Sequence, residues 1–176
     1  PEGRIVSTRN RAGKEETWDS DAEHIGLPLA LFINKYSASA AEIVAAAVKD
    51  ADAGKLVGED TYGKGIVQSL VTLKDGSGLK LTTSEYFSPR GQKINGVGVK
   101  PDIASDLPGE LKKDPSRLTD ENDAQLKAAI AQYDEGRAQL AQLEGQIAAL
   151  EAAGETEQAD LLRPQAQALS GQLAAA

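Results

Sequence analysis

The sequence contains no cysteine, no methionine and a single histidine, and only 4% of its 176 residues are aromatic. Without cysteine, disulfides and thiolate metal sites are excluded. With few aromatic residues, a core has to be built mainly from Val, Ile, Leu and Ala. A hydrophobic content of 40% is enough for one domain plus an appendage. Because the chain begins at Pro1 and lacks methionine, we expect it to be a piece of a longer protein.

Long apolar runs and an excess of positive charge are absent too. No run approaches the roughly 20 residues that span a bilayer, and no signal peptide is present. The net charge is −8. Residues 104–176 hold 13 acidic and 6 basic residues, against 14 and 13 in residues 1–103, so the acidity belongs to the C-terminal part. A chain without a basic patch lacks the electrostatic footprint of a nucleic-acid-binding protein, and we expect no nucleic-acid partner.

The patterns in residues 1–106 predict an α/β core. The short apolar run at 27–33 is typical of a strand buried on both faces, and apolar residues recur at helical spacing through 39–52. A short strand at 55–58 follows, and the order strand, helix, strand favours parallel pairing. Other strands are predicted at residues 4–8, 14–18, 66–73 and 79–87, and the last two are joined by a hairpin turn.

Residues 107–176 predict a separate, all-α extension. Apolar residues repeat at spacings of three and four on both sides of a turn at Gly154, which favours an antiparallel helical hairpin with coiled-coil-like packing. Pro164 is expected to kink or restart the second helix, whereas Gly136 and Gly145 weaken the prediction of an unbroken first helix. We interpret this extension as a structural appendage or a means of forming a homo-oligomer; a substrate-guiding arm is the alternative.

Ser39 is open to two interpretations. Ser39 and Glu42 match the capping box, in which a serine caps the helix and the glutamate bonds back to it. The same position suits a nucleophile, because unpaired N–H groups at a helix N-terminus can stabilise an oxyanion. Ser37 competes for either role.

A serine nucleophile needs a base, and the sequence offers His24 or Lys64. No G-x-S-x-G elbow surrounds either serine, which weakens a Ser-His hydrolase that uses His24. Lysine is protonated at neutral pH, so burial beside the apolar strand would have to lower the pKa of Lys64. Gly63 and Gly65 would let the backbone of Lys64 approach the nucleophile.

The segment 58–64 also fits G-x-x-x-x-G-K, a phosphate-loop pattern. Such a loop needs Ser or Thr after the lysine and a helix start that holds the anion. Gly65 and a strand-like run stand there instead, and Glu59 and Asp60 would repel phosphate. We therefore expect no nucleotide partner.

Several motifs together resemble the C-terminal processing proteases, also called tail-specific proteases. The resemblance lies in SASAAEI at 37–43, VGE at 57–59, TYGKG at 61–65 and VQ at 67–68. DGSGL at 75–79 and GVGVKPD at 96–102 resemble the family's following hairpin and closing motif. The resemblance covers roughly residues 1–103, and it does not extend to residues 107–176.

The resemblance implies a Ser-Lys dyad on a core like that of the Clp protease and crotonase. Ser39 would be the nucleophile, Lys64 the base 25 residues later, and Gln68 the residue that positions Lys64. The N–H of Ala40 would be one oxyanion donor. The resemblance also implies cleavage of protein or peptide substrates near an exposed C-terminus, without metal or cofactor. The expected location is an exported compartment, such as the periplasm, the cell envelope or the thylakoid lumen.

The sequence departs from the family's pattern in two respects. It contains neither the PDZ domain nor the upstream segment that supplies the second oxyanion donor. Ala41 stands where the family often has serine. The predicted domains are therefore residues 1–106, the C-terminal part of a serine endopeptidase core, and residues 107–176, the helical extension. The alternative is a catalytically silent folding or dimerisation module.

Overall fold

A computed structural model describes residues 2–23 and 29–174 of the chain. These residues form two compact units. The first consists of the described residues up to 23 together with 31–104, and the second of residues 29–30 together with 105–174. None of the described helices is long and apolar enough to cross a membrane.

The first unit contains two β-sheets and one helix. In chain order its elements are β1 (Gly3–Asn10), β2 (Glu15–Ser20), β3 (Ala30–Ile33, whose first residue belongs to the second unit), α1 (Ala40–Asp50), β4 (Lys55–Gly58), β5 (Ile66–Thr72), β6 (Gly78–Phe87) and β7 (Ile103–Ala104). The first sheet has the order β2-β1-β6-β5 and is antiparallel throughout. The second has the order β3-β4-β7, and its strands β4 and β7 are parallel. The predicted order of strand, helix and strand is confirmed, and parallel pairing is present between β4 and β7.

The core lies around α1 and the second sheet. Its buried apolar residues come from β3, α1, β4 and the loop that precedes β7; they are Ile33, Ala45, Ala46, Leu56, Ile94 and Val99. The members of this cluster that α1 contributes, Ala45 and Ala46, are both alanines.

The prediction that β3 is buried on both faces is wrong for the described residues. Ile33 is 3% exposed and belongs to the core, whereas Phe32 on the opposite face is 45% exposed. Successive side chains of a strand point to opposite faces. The core cluster covers only the face of Ile33, so this apolar run has one packed face. Residues 27 and 28 of the predicted strand lie outside the described residues.

Asp102 anchors the segment that leads into β7. Its Oδ1 accepts a hydrogen bond from Lys49 Nζ of α1 at 2.6 Å, and its Oδ2 accepts from the Leu56 amide of β4 at 2.9 Å. Partial burial acts to raise the pKa of the Asp102 carboxyl. The hydrogen bonds from Lys49 and from the Leu56 amide outweigh it and hold that pKa below its usual value.

We expect this anchor to make stability depend on pH on the acid side. Because the carboxyl pKa is lower in the folded state, the contribution of Asp102 to the free energy of unfolding is fully present above its unfolded pKa of about 3.9. That contribution is lost as the pH falls through the folded pKa. At pH 7, Asp102→Asn should lower the free energy of unfolding by about 1 kcal/mol. As the pH falls through the folded pKa of Asp102, the variant and the parent should converge.

Urea unfolding of the 176-residue chain at a series of pH values checks this expectation, with Asp60→Asn as the control at an exposed aspartate. An Asp102→Asn deficit that is the same at pH 7 and pH 3 would show that the carboxylate charge is not responsible.

The second unit is helical. It contains α2 (Gly109–Lys113), a 3₁₀ turn (Pro115–Arg117), α3 (Ala124–Ala152) and α4 (Thr156–Ala174). The helices α3 and α4 run antiparallel: Glu151 and Arg163 pair near the connecting turn, and Gly136 faces Leu173 at the other end.

Two local expectations concern these helices. Helix α3 continues through Gly136 and Gly145. A Cβ on Gly136 would lie 3.0 Å from Leu173 Cδ2, so this glycine allows close packing rather than marking a break. Pro164 lies inside α4, so the helix does not restart there, and the kink at Pro164 stays a prediction.

Candidate active site

Ser39 occupies a strained position immediately before α1. Its backbone has φ 58° and ψ −116°. Among the described non-glycine residues only Ser39 and Asp52 have positive φ. A residue with a Cβ persists in such a conformation only where its surroundings enforce it, and such strain concentrates at functional sites. This conformation is an observed reason to treat Ser39 as a candidate nucleophile.

Main-chain hydrogen bonds enforce the conformation of Ser39. Its N–H donates to Glu42 Oε2 at 2.9 Å, which is the glutamate half of the predicted capping box. Its carbonyl accepts from the amides of Glu42 and Ile43 at 2.9 and 3.1 Å. The backbone of Ser39 is therefore fixed, and its side chain is half-buried at the start of α1.

Ser37, the competing serine, serves the turn between β3 and α1. Its hydroxyl accepts the amide of Asn34 at 3.1 Å, and its carbonyl accepts the amide of Tyr62 at 2.9 Å. The second of these bonds joins the segment that precedes Ser39 to the segment that precedes Lys64.

Glu42 joins the two segments more extensively. Its side chain is fully buried, with 0% exposure. Oε1 accepts from Thr61 Oγ1 at 2.5 Å and from the Gly63 amide at 2.6 Å. Oε2 accepts from the Lys64 amide at 2.8 Å as well as from the Ser39 amide. A buried carboxylate needs such partners, and this one has four. The main chains of the candidate nucleophile and the candidate base therefore meet at one oxygen atom.

The side chain of Lys64 is exposed in the described structure. The burial predicted for this lysine is not supplied by the described residues. Lys64 lies just before β5, and the strand begins two residues later at Ile66. The main chain of Lys64 is thus placed near that of Ser39, whereas its side chain is exposed.

The other two predicted site residues lie on the elements that follow Ser39 and Lys64. Ala40 is the first residue of α1, and no acceptor among the described residues takes its N–H, as expected of a helix N-terminus. Gln68 is an exposed residue of β5, paired with Thr82 next to a β-bulge. His24 lies outside the described residues.

The glycines that flank Lys64 lie against the loop at 94–98. A Cβ on Gly63 would lie 3.2 Å from the amide nitrogens of Val97 and Gly98. A Cβ on Gly65 would lie 2.9 Å from Asn95 Cα. The Gly63 carbonyl also accepts the Gly96 amide at 2.8 Å. These glycines therefore make room for the loop, whereas their role in the approach of Lys64 to the nucleophile stays a prediction.

Gly65→Ala should destabilise the first unit by about 1–3 kcal/mol, because the added methyl group meets backbone that has no room to move. Gly145→Ala is the control, since a Cβ there meets nothing within 4 Å, and alanine in a helix should be favourable by about 0.5–1 kcal/mol. Urea unfolding followed by fluorescence of Trp18, which lies in β2, checks Gly65→Ala, and unfolding followed by circular dichroism of the helices checks Gly145→Ala. An unchanged urea midpoint for Gly65→Ala would contradict the close approach.

The phosphate-loop pattern at 58–64 is used differently here. The Gly63 and Lys64 amides, which would hold a phosphate in such a loop, donate to the Glu42 carboxylate instead. Lys64 is followed by the strand β5, as predicted, and not by a helix.

Local sequence patterns do not show two connections of this site. The capping box identifies Glu42 only as a capping residue, although the same carboxylate also binds the amides of Gly63 and Lys64. No pattern marks Thr61 as a site residue. No local pattern identifies these contacts, because they join residues about 20 positions apart.

The fold and the motifs define a class of protein. The sequence matches the model of peptidase family S41 over residues 1–105, and the chain belongs to that family. Its core is the α/β core of the Clp protease and crotonase type that was predicted, followed by a helical region.

Individual relatives agree with this assignment. The chain is 37% identical over 135 residues to a carboxyl-terminal-processing protease of Synechocystis sp., which covers 74% of this chain and 30% of that protein. It is 42% identical over 115 residues to the chloroplastic carboxyl-terminal-processing peptidase 2 of Arabidopsis thaliana, covering 64% of this chain and 22% of that protein.

A solved structure of a photosystem II D1 C-terminal processing protease superposes with a TM-score of 0.58 at 38% identity. That alignment covers 63% of this chain and 30% of the solved chain. The chain therefore spans about a third or less of the length of these relatives.

Proposed function

We propose that this chain is the part of a tail-specific serine endopeptidase that carries its Ser-Lys dyad. Ser39 is the nucleophile, Lys64 the general base, and Gln68 the residue that orients Lys64. The observation that carries the proposal is the strained backbone of Ser39, whose amide shares Glu42 Oε2 with the amide of Lys64. Family membership supports the same chemistry.

Acylation would begin when Ser39 Oγ attacks the carbonyl carbon of the scissile peptide bond. The hydroxyl proton passes to the neutral amine of Lys64 as the Oγ–C bond forms. When the C–N bond breaks, the ammonium group of Lys64 returns that proton to the leaving amine. Water then attacks the ester, Lys64 accepts its proton and returns it to Ser39 Oγ, and the new carboxyl group leaves.

The developing oxyanion would be held by the Ala40 amide, which the helix leaves without an acceptor. A second donor and the cover over Lys64 are proposed to come from protein outside these 176 residues. The exposed side chain of Lys64 and the limited share of its relatives that this chain spans favour this division of the site.

Substrates, location and domains follow the same proposal. Residues 1–106 form the catalytic part and residues 107–176 the helical extension, which serves as an appendage or a means of oligomerisation. Proteins with exposed C-termini are the substrates, and the family names of the relatives support this class. Export is proposed because bacterial and chloroplastic processing proteases are among the relatives.

The test uses the full-length protein and an unstructured substrate protein with either a free or an amidated C-terminus. We expect cleavage near the free C-terminus, and a fall of at least tenfold in kcat/KM for the amidated form. Mass spectrometry of the products locates the cut. Cleavage that is evenly distributed along the substrate and insensitive to amidation would contradict the tail-specific part, and an absence of cleavage would contradict the peptidase itself. The 176-residue chain, assayed alongside, shows whether it acts alone.

A further inference from the structure

We propose that the Thr61 hydroxyl is a positioning group for the reaction, because it fixes the Glu42 carboxylate on which the Ser39 and Lys64 main chains meet. This inference rests on the proposed function and goes beyond it. Thr61 would touch neither substrate nor the reacting atoms, and would act through Glu42.

The direction of both hydrogen bonds at Thr61 is determined by chemistry. Thr61 Oγ1 accepts a hydrogen bond from the Val99 amide at 2.7 Å, and an amide can only donate. The single hydroxyl proton is therefore available for Glu42 Oε1, 2.5 Å away. Thr61 is 7% exposed, so water does not replace either partner easily. The hydroxyl therefore links the Val99 amide to the Glu42 carboxylate and holds the carboxylate in one orientation.

The main chain of Thr61 is held just as firmly. Its amide donates to the Val99 carbonyl at 3.1 Å. A Cβ on Gly98 would lie 2.6 Å from the Thr61 carbonyl oxygen, so the two segments are in close backbone contact. The loop at 96–99 is therefore the support on which Thr61, and through it Glu42, is placed.

Removing the hydroxyl would leave Glu42 Oε1 with the Gly63 amide alone. The carboxylate could then rotate, and Oε2 would carry the Ser39 and Lys64 amides with it. A shift of about 1 Å in catalytic groups can cost on the order of a hundredfold in rate. The expected effect is on turnover, since neither Thr61 nor Glu42 is proposed to bind substrate.

Removing a purely structural hydroxyl would lower stability without a specific effect on turnover. Ser88 provides the matched comparison. Ser88 is 4% exposed. Its hydroxyl donates to Asp50 Oδ2 at 2.5 Å and accepts the Gln92 amide at 3.2 Å. This is the same pattern as at Thr61, with a carboxylate that contacts neither Ser39 nor Lys64.

The test measures kcat, KM and urea stability of the full-length protein with Thr61→Val, Thr61→Ser and Ser88→Ala. We expect Thr61→Val to lower kcat about 30- to 100-fold with KM within about threefold. Thr61→Ser, which keeps the hydroxyl, should stay within about threefold of the parent. Ser88→Ala should lose stability comparable to that lost by Thr61→Val while kcat stays within about threefold. If Thr61→Val does not fold, Thr61→Cys replaces it, because a thiol is a weak donor and the same fall in kcat is expected.

Parent-like kcat in Thr61→Val or Thr61→Cys would overturn the inference, and so would an equal fall in Ser88→Ala. Ser39→Ala separates this inference from the proposed function. If Ser39→Ala keeps activity, the proposed function fails. If Ser39→Ala is inactive while Thr61→Val turns over normally, only the role of Thr61 fails.

Discussion

Ser39→Ala in the full-length protein is expected to lower the rate of peptide cleavage by about 10⁴-fold or more, with the fold retained. The substitution removes the proposed nucleophile and keeps every main-chain bond that fixes residue 39, including its amide bond to Glu42. Because only the hydroxyl is removed, we expect the free energy of unfolding to fall by no more than the loss of one helix cap, about 1 kcal/mol. Cleavage rates and urea unfolding of the same preparations measure both effects.

Ser37→Ala is the matched control for this prediction. Its hydroxyl accepts the Asn34 amide, and the carbonyl that binds the Tyr62 amide is kept in the variant. We expect some loss of stability and at least a tenth of the parent's kcat/KM. The reverse pattern, with an active Ser39→Ala and an inactive Ser37→Ala, would transfer the nucleophile to Ser37.

Lys64→Met should have a comparably large effect on cleavage. Methionine keeps the length of the aliphatic stem, whereas the amine that takes and returns the proton is lost. The Lys64 amide still donates to Glu42, so the loop should keep its place. We expect kcat to fall about 10³-fold or more and the urea midpoint to remain near that of the parent.

Lys35→Met is the control for Lys64→Met, because Lys35 is the lysine nearest to Ser39 in the sequence. Its Nζ lies 5.4 Å from the centroid of the Tyr36 ring, a contact that is unrelated to Glu42. Activity should stay within about threefold of the parent. An inactive Lys35→Met beside an active Lys64→Met would assign the base to Lys35.

The sequence predicted the elements that local patterns specify. The helix α1, the strands β4 to β6 and the hairpin between β5 and β6 were all expected, since apolar periodicity and turn residues identify them directly. The exposure of the β3 face that carries Phe32 is not predictable from the run itself. A continuous apolar run shows that both faces are hydrophobic but not which face is covered, and the described residues cover only the face of Ile33.

The candidate site was predictable only in part for the same reason. Ser39 and Lys64 come from motifs that can be read locally, and the capping pattern also pointed to Glu42. The second half of the Glu42 contacts and the role of Thr61 depend on which distant segments meet, and periodicity carries no such information. The flanking glycines show the same limit: Gly65 is needed for the approach of Asn95, 30 positions later.

The most direct test of the Ser-Lys assignment is to map the acyl group on the enzyme. The full-length protein is mixed with a peptide ester of slow deacylation, quenched in acid after milliseconds to seconds, digested and analysed by mass spectrometry. The account predicts an acyl group on Ser39, absent from Ser39→Ala and strongly reduced in Lys64→Met. An acyl group on any other residue, or one that forms equally in Ser39→Ala, would contradict it.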